Sequence, residues 1–201
     1  MPRTIVGAAC LSAALLATAP GAAAQDMPVI DEEAALAAVR GGFGGVCAAP
    51  DAVVSTIPQE SYRLVEPPAY DGGPERHYVL YAVPCSSGAY NVTWVYLVDE
   101  GYEGPMPQAF ATPKLRIDYE GDSYERVRSV AIDGFDAWYR ITNASFDPET
   151  RTIVSSGRWR GLGDAFDSGT WRFEEGRFVL QRFEVDPTYD GEITPQVVFE
   201  R

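Results

Sequence analysis

From about Tyr62 to the end, apolar residues fall into short runs separated at regular intervals by turn-forming residues. That rhythm restricts the chain to antiparallel β structure, because period-2 runs of Val, Tyr, Trp, Phe and Leu bury one or both faces of a sheet. Residues 76–83 and 91–98 are apolar on both faces, with Cys85-Ser86-Ser87-Gly88 as the reversal between them. Leu115, Ile117 and Tyr119 alternate with Lys114, Arg116 and Asp118, the pattern of a half-buried strand. Residues 127–132 and 137–142 read as two shorter strands split by Asp133-Gly134. Asp147-Pro148-Glu149-Thr150 is a turn, and residues 152–155 return from it. Residues 170–173 and 177–185 form a hairpin around Glu174-Glu175-Gly176. Phe178 and Leu180 keep one phase, while Phe183 and Val185 keep the other, so a bulge is expected near Gln181-Arg182. Residues 197–199 supply a last edge strand. The expected class is all-β, an antiparallel sandwich or partly open barrel, with one short N-terminal helix.

That helix begins at Asp31, a good N-cap, with Glu32 and Glu33 in the first turn and Arg40 in the last. Gly41-Gly42 is expected to stop it, and residues 41–45 to serve as a connector. No strand precedes these glycines and no Lys-Ser/Thr follows, so they do not make a phosphate loop. Residues 67–74 and 101–113 read as loops, the second as a divider between two lobes of one domain over 25–201.

The first 24 residues read as a secretory signal. Arg3 opens them, a short apolar run follows, and Ala22-Ala23-Ala24 is the cleavage site. The run is too short to span a bilayer, and no second apolar stretch is long enough. The working chain is therefore expected in the periplasm or outside the cell, where disulfides persist. Cys10 lies in the signal, which leaves Cys47 and Cys85 as an even pair, expected to be bonded. Neither CxxC spacing nor a second histidine beside His77 supports a redox or metal pair. A formal net charge of −13 argues against nucleic acid and anionic lipid as partners, and suits a basic one.

No catalytic constellation emerges. His77 lacks a recognisable nucleophile, and no serine has a Gly-x-Ser-x-Gly context. The acidic groups at 118–125 and at Asp186, Asp190 and Glu192 read as solvated turns rather than calcium sites. Asn91-Val92-Thr93 and Asn143-Ala144-Ser145 match the glycosylation triplet but fall in expected strands, and no role is assigned to them. Trp94 and Trp171 alternate with polar neighbours, as core residues do. Trp159, between Arg158 and Arg160, is the candidate for an exposed aromatic on a binding surface. No cofactor, metal or catalytic residue is expected.

The run Gly157-Arg158-Trp159-Arg160-Gly161-Leu162-Gly163-Asp164, with Gly169-Thr170-Trp171-Arg172-Phe173 and Gly176-Arg177-Phe178-Val179-Leu180 after it, resembles the bacterial domain of unknown function numbered 1176. Val83-Pro84-Cys85 and Gly88-Ala89-Tyr90-Asn91 fit the same resemblance. The family typically has a cysteine where this chain has Ala165, and a Cys-Arg-Gly where it has Tyr189-Asp190-Gly191. Loss of both together is what the resemblance implies if the two are bonded in relatives. The family implies a secreted, cysteine-containing β protein and brings no activity or cofactor. The expected role is a non-enzymatic envelope module that binds a protein or envelope component, with inhibition of a basic partner as one form. The alternatives are an envelope-polymer hydrolase using strand-borne carboxylates and a small-ligand carrier.

Overall fold

The computed structural model describes residues 27–47 and 50–201. The signal segment, and Cys10 within it, lie outside the described residues. Helices α1 (Glu32–Phe43) and α2 (Pro50–Val54) precede twelve strands. The first sheet has the order β1 (Glu60–Glu66), β2 (Arg76–Ser87), β3 (Val92–Asp99), β4 (Met106–Pro107), with β7 (Ile141–Thr142) also on β3. The second sheet runs β12 (Gln196–Glu200), β11 (Arg177–Asp186), β10 (Phe166–Glu174), β9 (Thr152–Arg158), β8 (Ser145–Asp147). A two-stranded ribbon, β5 (Phe110–Tyr119) and β6 (Val127–Trp138), pairs with neither sheet but packs on the second, sending Phe110 into the core. Every pairing is antiparallel, and the sheets do not close into a barrel.

The two-faced apolar character of β2 and β3 is what makes three layers possible. Tyr78, Leu80, Ala82, Tyr96 and Val98 face the second sheet, where they meet Phe146, Ile153, Trp171, Phe173 and Phe178. Their neighbours Val79, Tyr81, Val83, Val95 and Leu97 face the other way, onto Ala35, Leu36 and Val39 of α1. A one-residue slip would exchange the two sets, so register is fixed by side-chain size on both faces. Asp31 caps α1 by accepting from Ala34 N at 2.9 Å, and its own amide donates to the Tyr81 hydroxyl at 2.9 Å. Cys47 and Cys85 are disulfide-bonded, with Cα atoms 4.7 Å apart. In the chain-entropy model this closure contributes roughly 4 kcal/mol. Trp171 folds its ring over Gly169, where an added Cβ would lie only 2.1 Å from the ring.

Several local expectations hold. Gln181 is the bulged residue, since Thr170 pairs with Arg182 while Trp171 pairs with Leu180. Residues 114–119 alternate half-buried and exposed, and 196–200 form the edge strand. Five expectations are corrected. Helix α1 runs through Gly41-Gly42 to Phe43, whose half-buried ring packs on the cluster between α1 and the first sheet and whose carbonyl then accepts from Cys47 N at 2.7 Å. A second helix, α2, follows it. The reversal after β2 lies at 88–91, not 85–88, because Cys85 is fully buried and the strand must carry it inside. Asp133-Gly134 does not split a strand. It sits in a bulge of β6, with Lys114 opposite Gly134 and Leu115 opposite Ile132. The stretch 101–113 is loop only in part, since β4 and the start of β5 lie in it and Phe110 is fully buried in the core.

Candidate functional site

The second sheet has two ends, and the sequence-marked residues Arg158, Trp159 and Arg160 stand at one of them, where β9 leaves for β10. Trp159 is half-buried, and its indole N–H donates to Asp167 Oδ2 at 2.7 Å. Its ring lies 6.4 Å from Tyr189. Arg160 Nε donates to Asp164 Oδ1 at 2.6 Å, and its guanidinium stacks over the Tyr189 ring at 5.1 Å. Asp164, 1% exposed, also accepts from Gly191 N at 2.9 Å. The Arg160 hydrogen bond, first of all, holds the Asp164 carboxyl well below the usual carboxylate range. Asp167 is shifted the other way: its burial outweighs the Trp159 hydrogen bond and raises its pKa. Arg158 is exposed, and its backbone is held by Asn91, whose Nδ2 donates to its carbonyl at 2.8 Å. The three residues are thus brought together where β9 ends, and of its two arginines Arg158 is the one whose side chain has no ion pair among the described residues.

Asn91 and Asn143 were expected in strands; both lie just outside them. Asn143 takes a left-handed backbone (φ 45°), accepts from Val92 N at 2.8 Å, and donates to Asn91 Oδ1 and to Ser156 O at 2.8 Å each. Asn91 Oδ1 also accepts from Arg158 N at 3.2 Å. The pair therefore rivets the 88–91 turn to the loop that follows β9, a role no local pattern shows. Both side-chain amides are spent on these bonds.

Four loops interlock at this end. Tyr189 N donates to Tyr124 O at 3.1 Å, joining 187–195 to the ribbon tip at 119–126. Asp164 joins 159–165 to 187–195 through Gly191, and a Cβ on Gly161 would lie 3.6 Å from the Tyr90 ring. Buried Asp186 closes the neck of 187–195, its Oδ2 accepting from Thr194 N at the far side while Oδ1 accepts from Thr188 N at 3.1 Å and Thr188 Oγ1 at 2.7 Å. Tyr124 is held in a left-handed backbone (φ 58°), its ring 4.9 Å from Tyr119. Out of these fixed loops project Leu162 (70% exposed), Ile193 (67%), Tyr124 (54%) and Tyr90 (41%). Glu120, Asp122, Glu125, Asp190 and Glu192 are exposed around them, against the exposed cations Arg126 and Arg158. Arg126 is paired to Glu120 at 3.4 Å.

At the opposite end, the β10–β11 turn, Glu66 is 5% exposed. It accepts from Glu175 N at 2.9 Å and Gly176 N at 3.2 Å, and pairs with Arg76 at 3.2 Å. Beside it opens a groove of about 1170 Å³. No group of three or more His, Cys, Asp or Glu side chains able to hold a metal occurs among the described residues. No helix among them is long and apolar enough to cross a membrane.

Fold and site together define a disulfide-tied, all-β sandwich that presents an end built of hydrogen-bonded loops. The family model "Protein of unknown function (DUF1176)" matches residues 75–195, and the chain belongs to that family. It is similar to the uncharacterized protein YpfG of Escherichia coli (strain K12), 26% identical over 112 residues. That match covers 56% of this chain and 28% of YpfG, so the chain spans under a third of its relative. No solved structure matches. The resemblance implied that positions 165 and 189–191 neighbour one another, and here Asp164 is hydrogen-bonded to Gly191.

Proposed function

We propose that the protein is a non-enzymatic, extracytoplasmic binding module that grips a basic protein partner with the loop end. The carrying observation is the interlock of four loops beneath exposed Tyr90, Tyr124, Leu162 and Ile193, ringed by carboxylates. An apolar centre with a charged rim is the anatomy of a protein interface. Loops held by internal hydrogen bonds lose little freedom on binding, which favours affinity. The acidic rim and the net charge of −13 suit a basic surface and speed its capture. The Cys47–Cys85 bridge suits an oxidising compartment. In this reading Trp159 and Arg160 support the surface, and Arg158 lies on its edge. Inhibition of a basic envelope enzyme is one form of such binding.

The test is capture from envelope extract by the immobilised mature chain. A basic protein retained by the native chain, eluted by salt and lost with Leu162→Asp plus Ile193→Asp supports the reading. Equal retention by that variant, or a partner without basic character, overturns it.

A further inference from the structure

We propose a second site at the opposite end: the groove beside the β10–β11 turn binds an organic anion carrying at least two carboxylate or phosphate groups. The groove gathers Arg76, Arg151, Arg172, Arg177 and Arg201, five of the 16 basic residues of a strongly acidic chain. Three carboxylates line it as well, and each is matched to one arginine. Glu66 pairs with Arg76 at 3.2 Å, Glu174 with Arg201 at 3.2 Å, and Glu175 with Arg177 at 3.7 Å. Arg151 and Arg172 are left without a carboxylate or hydrogen-bond partner for their side chains among the described residues. Two uncompensated guanidinium groups in one groove match two anionic groups on a ligand, because the planar fork binds carboxylate or phosphate bidentately.

The backbone places Arg151 deliberately. It ends the β8–β9 turn in a left-handed conformation (φ 55°), which costs an arginine strain that a glycine would not feel. Its carbonyl accepts from Phe173 N at 2.8 Å, which ties this turn to β10 beside Arg172. Arg172 projects from β10 between core residues Trp171 and Phe173, so its own side chain turns away from the core. The groove far exceeds the volume of an inorganic ion. Phe135, half exposed, stands edge-on to Phe199 at 5.7 Å on its wall, with Pro67 and Ala111 nearby. The ligand therefore carries an apolar or ring-bearing body between its charges.

Calorimetry of the mature chain at low salt tests this, with ATP and trimesate (a benzene ring bearing three carboxylates) as the anions and maltotriose as the neutral control. Binding of either anion, weakened about tenfold by Arg151→Gln with Arg172→Gln and lowered by added salt, supports the site. The two anions separate phosphate from carboxylate preference. Arg172→Gln alone, at an exposed strand position, should show part of the loss with an unchanged melting temperature. Arg128→Gln, outside the groove, should bind as the native chain does. No binding of either anion, or equal binding by the double variant, overturns the proposal. The Leu162→Asp/Ile193→Asp chain should keep anion binding, so failure of this site and failure of the loop end are seen separately.

Discussion

At one end of the β8–β12 sheet Arg160 is consumed by Asp164 and Tyr189, while at the other Arg151 and Arg172 form no ion pair among the described residues, the three carboxylates of the groove being paired to other arginines. The same residue type is structural in the first place and available in the second. The loop end ties its polar side chains to its own backbone: Asn91 to Arg158, Asn143 to Val92 and Ser156, Asp164 to Gly191, Asp186 to Thr188. It offers a partner apolar tips and rim acids. The groove end uses Glu66 alone as a buried clamp and keeps its arginines at the surface of a cavity. Rigidity is thus concentrated where polar groups are spent, and charge recognition where they are not.

This contrast predicts unequal costs of substitution. The largest belongs to the loop end. Trp159→Ala should cost about 3 kcal/mol, through lost packing on Tyr189 and an unpaired Asp167. Asn143→Ala should cost about 2 kcal/mol, because it orphans Val92 N and forces alanine into a left-handed backbone. Denaturant melts of the two variants measure both. Costs below about 0.5 kcal/mol, the size of a neutral surface change, would break the contrast.

A smaller effect separates two carboxylates in the same loop by the sign of their response to pH. The depressed pKa of Asp164 means that its contribution is present above the ordinary carboxylate range and is lost as pH falls through its folded value. Asp164→Asn should therefore destabilise at neutral pH and progressively less in acid. The raised pKa of Asp167 acts oppositely: its burial costs stability at neutral pH, and that cost fades as the group takes up a proton on acidification. Asp167→Asn should be neutral or stabilising at pH 7, since the amide oxygen can still accept from Trp159. Melting temperature against pH for the two variants tests the signs, and parallel curves would refute the assignment. The smallest effect belongs to the groove: Arg151→Gln and Arg172→Gln should each move stability by less than about 0.5 kcal/mol.

What could be read from sequence follows the range of the interactions. The N-cap at Asp31, the hairpin around Glu175-Gly176 and the bulge at Gln181 are decided within a few residues, and the alternation of Phe178, Leu180, Phe183 and Val185 displays them. Gly41-Gly42 and Asp133-Gly134 misled because tertiary packing overrode local preference: Phe43 docks on the cluster between α1 and the first sheet, and β5 pairs on both sides of the bulge at 133–134. Trp159 was visible as a marked residue, but its partner Asp167 and the stacking of Arg160 on Tyr189 were not. The Asn91–Asn143 rivet joins positions 52 apart. The groove draws its arginines from the start of β2, the β8–β9 turn, β10, β11 and the chain end, so no window of sequence contains it.

The central claim is that the loop end is pre-organised. Native-state amide exchange tests it most directly, at Val92, Trp159, Tyr189 and Gly191, whose amides donate to Asn143 Oδ1, Ala165 O, Tyr124 O and Asp164 Oδ2. The account predicts that these four exchange slowly, like strand amides, and that Trp159→Ala speeds the last three together. Exchange of all four at the rate of open loops in the native chain would contradict it.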